Sequence, residues 1–233
     1  MKILPDDVGR FSTPQRSNSK DALAPICEIN EQCLRMLVNA SRQSQLSSDS
    51  FLYHLLSLVS PLDDGAIATA ARFPFLLVDF GFRDVQWWRR VASKPMRADP
   101  DRSWLVHFPR AAVTKLARAT LTLAWHTART DTDATLVLLG MSQSVAEAIA
   151  TLKLSDIDRI ADRHFRRLRP RWEDRPAVWR QLLTCARETD VDAAHEFVLH
   201  ALQLTAAMAL PSALPRPTQD RRASQTDREL TGR

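Results

Sequence analysis

The sequence predicts an all-α protein built from two similar helical units, and three observations carry that prediction. Glycine is scarce: there are five, at positions 9, 65, 81, 140 and 232. Ala, Leu, Arg and Glu recur at spacings of three and four, the period that gathers apolar residues on one helix face. Finally, residues 51–84 can be laid without a gap onto residues 141–174, ninety positions later. Twelve of the fourteen apolar residues in the second window then meet an apolar residue in the first, where random placement would give roughly eight. With 45% hydrophobic and 25% charged residues in 233, the chain has the material for a core.

Along the chain, residues 1–22 carry few large apolar groups and read as a disordered N-terminal tail. A first helical repeat spans 23–108, with helices predicted over 26–43, 50–60, 64–72 and 84–93. Asp63-Asp64 reads as a helix cap or turn. Phe75–Val78 is the one candidate for a short extended piece. A second helical repeat spans 109–210, with helices over 109–129, 133–139, 143–152, 155–168, 175–187 and 190–209. Pro109 and Pro176 stand where first-turn prolines belong. Asp131-Thr132-Asp133 again has the look of a cap. Ser144 with Glu147, and Ser155 with Asp158, have capping-box spacing. Residues 211–233 hold three prolines and little to bury, so they read as a disordered C-terminal tail.

The ninety-residue shift matches Leu55 with Val145, Val59 with Ile149, Leu62 with Leu152, Ile67 with Ile157, Ala71 with Ala161 and Phe75 with Phe165. Each half then reaches Trp beside Arg, as Trp88-Arg89 and Trp179-Arg180. The reading is a duplicated helical unit. Whether the two units pack on one another is not legible from periodicity.

The clearest supersecondary pattern lies in the second unit. A short helix with Val145, Ala148, Ile149 and Leu152 on one face meets a tight connection at Lys153-Leu154. A second helix follows, with Ile157, Ile160, Ala161, His164, Phe165 and Leu168 inward. Its other face presents Arg159, Arg163, Arg166 and Arg167, and Arg169 and Arg171 come directly after. Two short helices with a tight joint have the outline of a helix-turn-helix, whose second helix enters a DNA major groove. Arginine suits that task because its planar fork donates to guanine edges and to phosphates alike. The competing reading is a solvated or protein-contacting face: Asp156, Asp158 and Asp162 lie on or beside the same helix and can pair with arginines one turn on.

The run Leu139-Gly140-Met141-Ser142, then Val145-Ala146, Ile149-Ala150, Leu152, Leu154-Ser155, Ile157 and Ile160-Ala161, preceded by the helix Leu116–Arg129, resembles the flagellar master transcriptional regulators FlhD and FlhC and their relatives on mobile elements. The resemblance covers about 115–183. It implies a helical subunit of a multi-subunit, DNA-binding transcription activator. Two features depart from the pattern. The FlhC branch carries a four-cysteine zinc site near its C-terminus, whereas this half holds only Cys185. The length and the duplication also differ from the short FlhD branch, so DNA contact can require a partner chain.

Six tryptophans accompany a single tyrosine. Trp87, Trp88 and Trp179 sit beside arginines and are candidates for a protein interface, which favours Trp and Arg. Base stacking and plain core packing with an arginine at the rim are the alternatives. Neighbours on a helix point about 100° apart, so one of Trp87 and Trp88 is expected near the surface.

Common enzyme chemistry finds little support. The glycines cannot form a phosphate loop, a dinucleotide fold or a GxSxG elbow. His195 and His200 are five apart, which turns their rings about 140° from each other and defeats a zinc-protease helix. His126 and His164 fall among apolar positions and read as core residues. Cys27, Cys33 and Cys185, with no CxxC, read as small buried hydrophobes in a reducing compartment. No catalytic residue, metal or cofactor is expected. No uncharged apolar run reaches about 18 residues, and no apolar leader opens the chain.

A formal charge of +5 and a pI near 9.5 make a nucleic-acid partner easier to believe without requiring one. The resulting expectation is a cytoplasmic DNA-binding transcriptional regulator, an activator subunit of a homo- or hetero-oligomer. Its partners are double-stranded DNA and a protein subunit or a second copy of itself. DNA contact falls to Arg159, Arg163, Arg166, Arg167, Arg169 and Arg171. The alternative is a helical protein-interaction adaptor without nucleic-acid binding.

Overall fold

A computed structural model describes residues 19–43, 51–93, 108–188 and 191–209. The tail expected over 211–233 lies outside the described residues, as does residues 1–18 of the tail expected over 1–22. Residues 19–22 already belong to the first helix.

Helix α1 (Ser19–Gln43) buries Ile26, Ile29, Cys33, Leu34, Leu37 and Val38, a stripe at helical spacing. It starts before the predicted residue 26 and runs through Pro25, which is exposed, so the missing N–H falls on the solvent side. Helices α2 (Phe51–Val59) and α3 (Asp64–Ala71) pack against it. Asp63 caps α3, accepting from the Ala66 N–H at 2.7 Å, as its position in the sequence suggested. A buried polar residue ties α1 to the chain that follows. Asn30, fully buried, donates to Ala71 O (3.3 Å) and Phe75 O (2.8 Å) and accepts from the Leu77 N–H (2.8 Å). Those bonds hold the turn after α3, residues 72–77, against α1 and lead into strand β1 (Val78–Asp79) and helix α4 (Val85–Ser93).

Helix α5 (Arg110–Thr130) buries Val113, Leu116, Ala117, Leu121, Ala124 and Ala128. Asp131 ends it and caps α6 (Thr132–Leu139), accepting from the Ala134 N–H at 2.9 Å. Gly140, at φ +64, closes α6 in the left-handed conformation that a side chain resists. Helices α7 (Gln143–Ala150) and α8 (Leu154–His164) follow, both packed on α5. The helix predicted over 155–168 stops at His164. A 3-10 turn, Phe165–Arg167, takes over and delivers strand β2 (Arg169–Pro170), which pattern reading had not separated from the helix. Helices α9 (Pro176–Glu188) and α10 (Val191–Ala209) complete the described chain.

The protein is all-α, with one minimal ladder among the described residues. Strands β1 and β2 pair antiparallel, Val78 with Pro170 and Asp79 with Arg169. The two halves share one core: Phe75 packs edge-on against Trp172 (5.4 Å), and Phe73 against Phe197 (5.2 Å). Helix α2 lies on α9, α4 on α7, and α1 on α5. His164 is buried as expected, its ring 5.3 Å from that of Trp87, but His126 stands on the exposed side of α5. Cys33 and Cys185 are buried thiols, and burial pushes the Cys33 thiol up to about 12. Cys27 is half-buried.

Candidate functional site

The segment from α7 to β2 is assembled on α5. The turn between α7 and α8 closes with Leu152 N–H donating to Ile149 O at 3.1 Å. Helix α8 is capped by Asp156, which accepts from the Lys153 N–H at 3.1 Å, so it starts one residue before the predicted Ser155. Ile157, Ile160, Ala161 and His164 go inward. Asp158, Arg159, Asp162 and Arg163 go outward and are exposed.

The acidic residues of this helix are held locally. Arg118, from α5, bridges Asp158 (2.9 Å) and Asp162 (2.6 Å), and Arg159 pairs with Asp156 (2.8 Å). Such exposed pairs contribute little stability, about 0–1 kcal/mol each. Their consequence is electrostatic: two guanidiniums answer three carboxylates, and the further cations around them set the sign of the face. Arg163 is exposed. Arg166 is half-buried, its guanidinium carbon 5.0 Å from the Phe165 ring centroid, and Arg110 of α5 approaches the same ring at 5.1 Å. Exposed Lys115 lies one turn before Arg118 on α5. Arg110, Lys115 and Arg118 escaped the sequence reading, because nothing in their spacing says that α5 lies beside α8.

The other three arginines expected to contact DNA are placed differently. Arg167 stacks on Trp87 (4.1 Å to the centroid) and pairs with Asp84 at 3.0 Å. Arg169 pairs with Asp79 at 2.6 Å and faces Glu173 at 3.6 Å. Arg171, 6% exposed, donates to the carbonyls of Leu138 and Leu139. Burial pulls the Arg171 guanidinium down to about 10, Asp79 partly countering and Arg83 adding to the fall. At neutral pH it stays charged. These three side chains join one half of the chain to the other or to α6, rather than presenting a cationic surface. The cleft beside them, lined by Asp79, Arg83, Arg169, Arg171, Glu173 and Asp174, balances three guanidiniums against three carboxylates and so has no net pull on an anion.

The tryptophans also go inside. Trp87, Trp88 and Trp179 are 2%, 0% and 0% exposed, so the expectation that Trp87 or Trp88 reaches the surface is corrected. Helix α4 is covered on both flanks: Trp88 donates to Gly81 O (3.0 Å) and stacks by Phe82, while Trp87 lies between Phe80, His164 and the guanidinium of Arg167. Trp179 donates to Arg171 O at 2.5 Å. These are core residues with arginine at the rim. Among the described residues, no cluster of three or more His, Cys, Asp or Glu is placed to hold a metal ion. No described helix is long and apolar enough to cross a membrane.

The described chain is thus an all-helical scaffold that gathers cationic side chains of α5, α8 and the turn after α8 on one face. Residues 110–207 match the family described as the flagellar transcriptional activator FlhD. The match begins at the first residue of α5, ends within α10, and contains the whole arginine segment. It spans less than half of the 233 residues, so the chain resembles FlhD-type regulators over its second unit, and through that resemblance the segment is tied to transcription regulation. No curated protein matches the chain. No solved structure does either.

Proposed function

We propose that the protein is a DNA-binding transcriptional regulator, acting in the cytoplasm as an activator subunit of a homo- or hetero-oligomer. The outward side of α8 and the adjoining edge of α5 are its DNA contact. The observation that carries this reading is the charge of that face. Arg110, Lys115, Arg118, Arg159, Arg163 and Arg166 stand with Asp156, Asp158 and Asp162 on this face, six cations to three carboxylates. Helix α8 alone carries three carboxylates and two guanidiniums, and the excess of cations comes from Arg110, Lys115 and Arg118 of α5 and Arg166 beyond its end. A surface with such an excess is suited to phosphate contact. The family resemblance of the same segment supports the reading independently.

DNA contact belongs to Arg159, Arg163 and Arg166. Arg167, Arg169 and Arg171 support the fold beneath them. An adaptor built on Trp87, Trp88 and Trp179 is disfavoured, because those side chains are enclosed. The experiment is fluorescence anisotropy with a labelled generic duplex from about 50 to 200 mM salt, where affinity falls with a slope of about 0.9 per phosphate neutralised. A protein that fails to bind at low salt, alone and with its co-purifying partners, does not act through this face.

A further inference from the structure

We propose that residues 19–93 and 110–188 are two copies of one helical unit, and that the chain is an intertwined two-fold dimer written as a single polypeptide. This rests on geometry and not on the DNA reading.

The elements recur in the same order at a nearly constant offset. Asp64 opens α3 and Leu154 opens α8, ninety positions apart. The turns before them close identically, Leu62 N–H to Val59 O (3.2 Å) and Leu152 N–H to Ile149 O (3.1 Å). From the strands onward the offset is ninety-one. Val78 and Arg169 open the strands, Gly81 (φ +73) and Trp172 (φ +56) take the left-handed turn, and Val85 and Pro176 open α4 and α9. Trp88 and Trp179 then each donate an indole N–H to a backbone carbonyl of the turn behind. The extra residue falls where α8 runs on to His164 and the 3-10 turn begins.

Repetition alone would leave two modules in a row. The packing says otherwise. In a two-fold interface, if an element of one copy touches a second element of the other, the reciprocal contact exists too. Helix α2 packs on α9, and its counterpart α7 packs on α4. Helix α3 packs on α9 as well, whereas the reciprocal meeting of α8 with α4 is much slighter and runs through the Trp87 and His164 rings (5.3 Å). Within the copies, α1 holds α2 and α3 as α5 holds α7 and α8. Equivalent elements meet each other at the axis: α1 with α5, and β1 with β2. The ladder's register, Val78 with Pro170 and Asp79 with Arg169, is what a two-fold axis between the two pairs requires. Each copy thus completes its core with the last helix of the other. The copies have diverged at these positions. Half-buried Thr69 and buried Phe73 stand ninety residues before exposed Arg159 and Arg163, so the first copy lacks this arginine pair.

The test uses the full chain with a protease site inserted between residues 94 and 107, cut after folding. The expected result is two halves that co-elute at the uncut mass with unchanged helicity and separate only in denaturant. Simultaneous loss of helicity from both halves has the same meaning, since neither is complete alone. Halves that part and stay helical, or one that stays folded while the other unfolds, overturn the exchange. The C-terminal half, separated in denaturant and refolded alone, is expected to self-associate to twice its mass. A folded monomer overturns the equivalence of the copies.

Discussion

Asp79 and Arg169 face each other across the two-residue ladder, Cα partners whose side chains close to 2.6 Å. Asp79 also accepts from the Gly81 and Phe82 N–H groups, at 3.1 and 3.0 Å. Burial pushes this carboxyl up, but Arg169, the Phe82 N–H and Arg171 together outweigh it and hold it below the usual carboxylate range. A depressed folded value means that Asp79 stabilises the native state above its unfolded pKa of about 3.9 and that this stability is lost as pH falls through the folded value. Asp79→Asn leaves Arg169 only the longer contact to Glu173 (3.6 Å) and is expected to cost about 3 kcal/mol at pH 7. Urea midpoints of the two proteins should converge as pH drops toward and below about 4; a gap that stays constant with pH would refute the charge pairing.

Replacing Arg159, Arg163 and Arg166 together by Ala is expected to weaken DNA binding and flatten its salt dependence by up to about three phosphates' worth of slope. Circular dichroism and melting temperature should hardly move, since exposed pairs of this kind contribute little. Unchanged affinity and slope would remove the face from the mechanism.

Arg167→Ala should do the reverse. It uncovers Trp87 and leaves Asp84 only its bond from the Trp87 N–H (3.0 Å), so a destabilisation of about 1–2 kcal/mol is expected from the lost cation–π contact and packing. The salt slope of DNA binding, measured on the folded fraction, should stay at the parent value. A lower slope would return Arg167 to the binding surface.

Asn30 and Thr120 are both fully buried, at positions ninety apart, yet Asn30 is satisfied and the Thr120 hydroxyl has no partner among the described residues. Burying an unpaired hydroxyl costs about 1–3 kcal/mol, so Thr120→Val is expected to stabilise by about 1 kcal/mol. Asn30→Ala should destabilise by about 3 kcal/mol, because it orphans two carbonyls and an N–H in the core. Chemical denaturation of both variants decides it: a Thr120→Val protein weaker than the parent would show that the hydroxyl is satisfied in solution.

Gly140→Ala tests the turn that joins α6 to α7. Gly140 has φ +64, and a Cβ there would lie 2.9 Å from Thr205 Cγ2 and 3.2 Å from Arg171 Nη1. Strain and crowding together predict a loss of about 2 kcal/mol. A melting temperature equal to the parent's would mean that this turn is laxer than drawn.

Much of the fold was written in local chemistry. The helical stripes of α1 and α5, the caps at Asp63 and Asp131, and the first-turn position of Pro176 follow from periodicity and short-range hydrogen bonding, which depend on neighbours in sequence. Errors fell where a distant contact overrode a local preference. The helix predicted to 168 ends at His164 because β2 pairs with β1 ninety residues earlier. His126 and His164 sit at similar apolar spacings, and only docking against α4 buries one of them.

The candidate site divides in the same way. By itself the sequence determined the all-α class, two short helices joined by a tight turn at 151–153, the ninety-residue echo of apolar positions and the run of arginines. Only the tertiary structure separated Arg159, Arg163 and Arg166, which face outward or lie at the rim, from Arg167, Arg169 and Arg171, which Trp87, Asp79 and the α6 carbonyls hold. It also brought Arg110 and Arg118 of α5 to the same face. An arginine looks alike in sequence whether its guanidinium meets water, an indole or a buried carboxylate. Which of these it meets is decided by residues too far along the chain for any local pattern to reach.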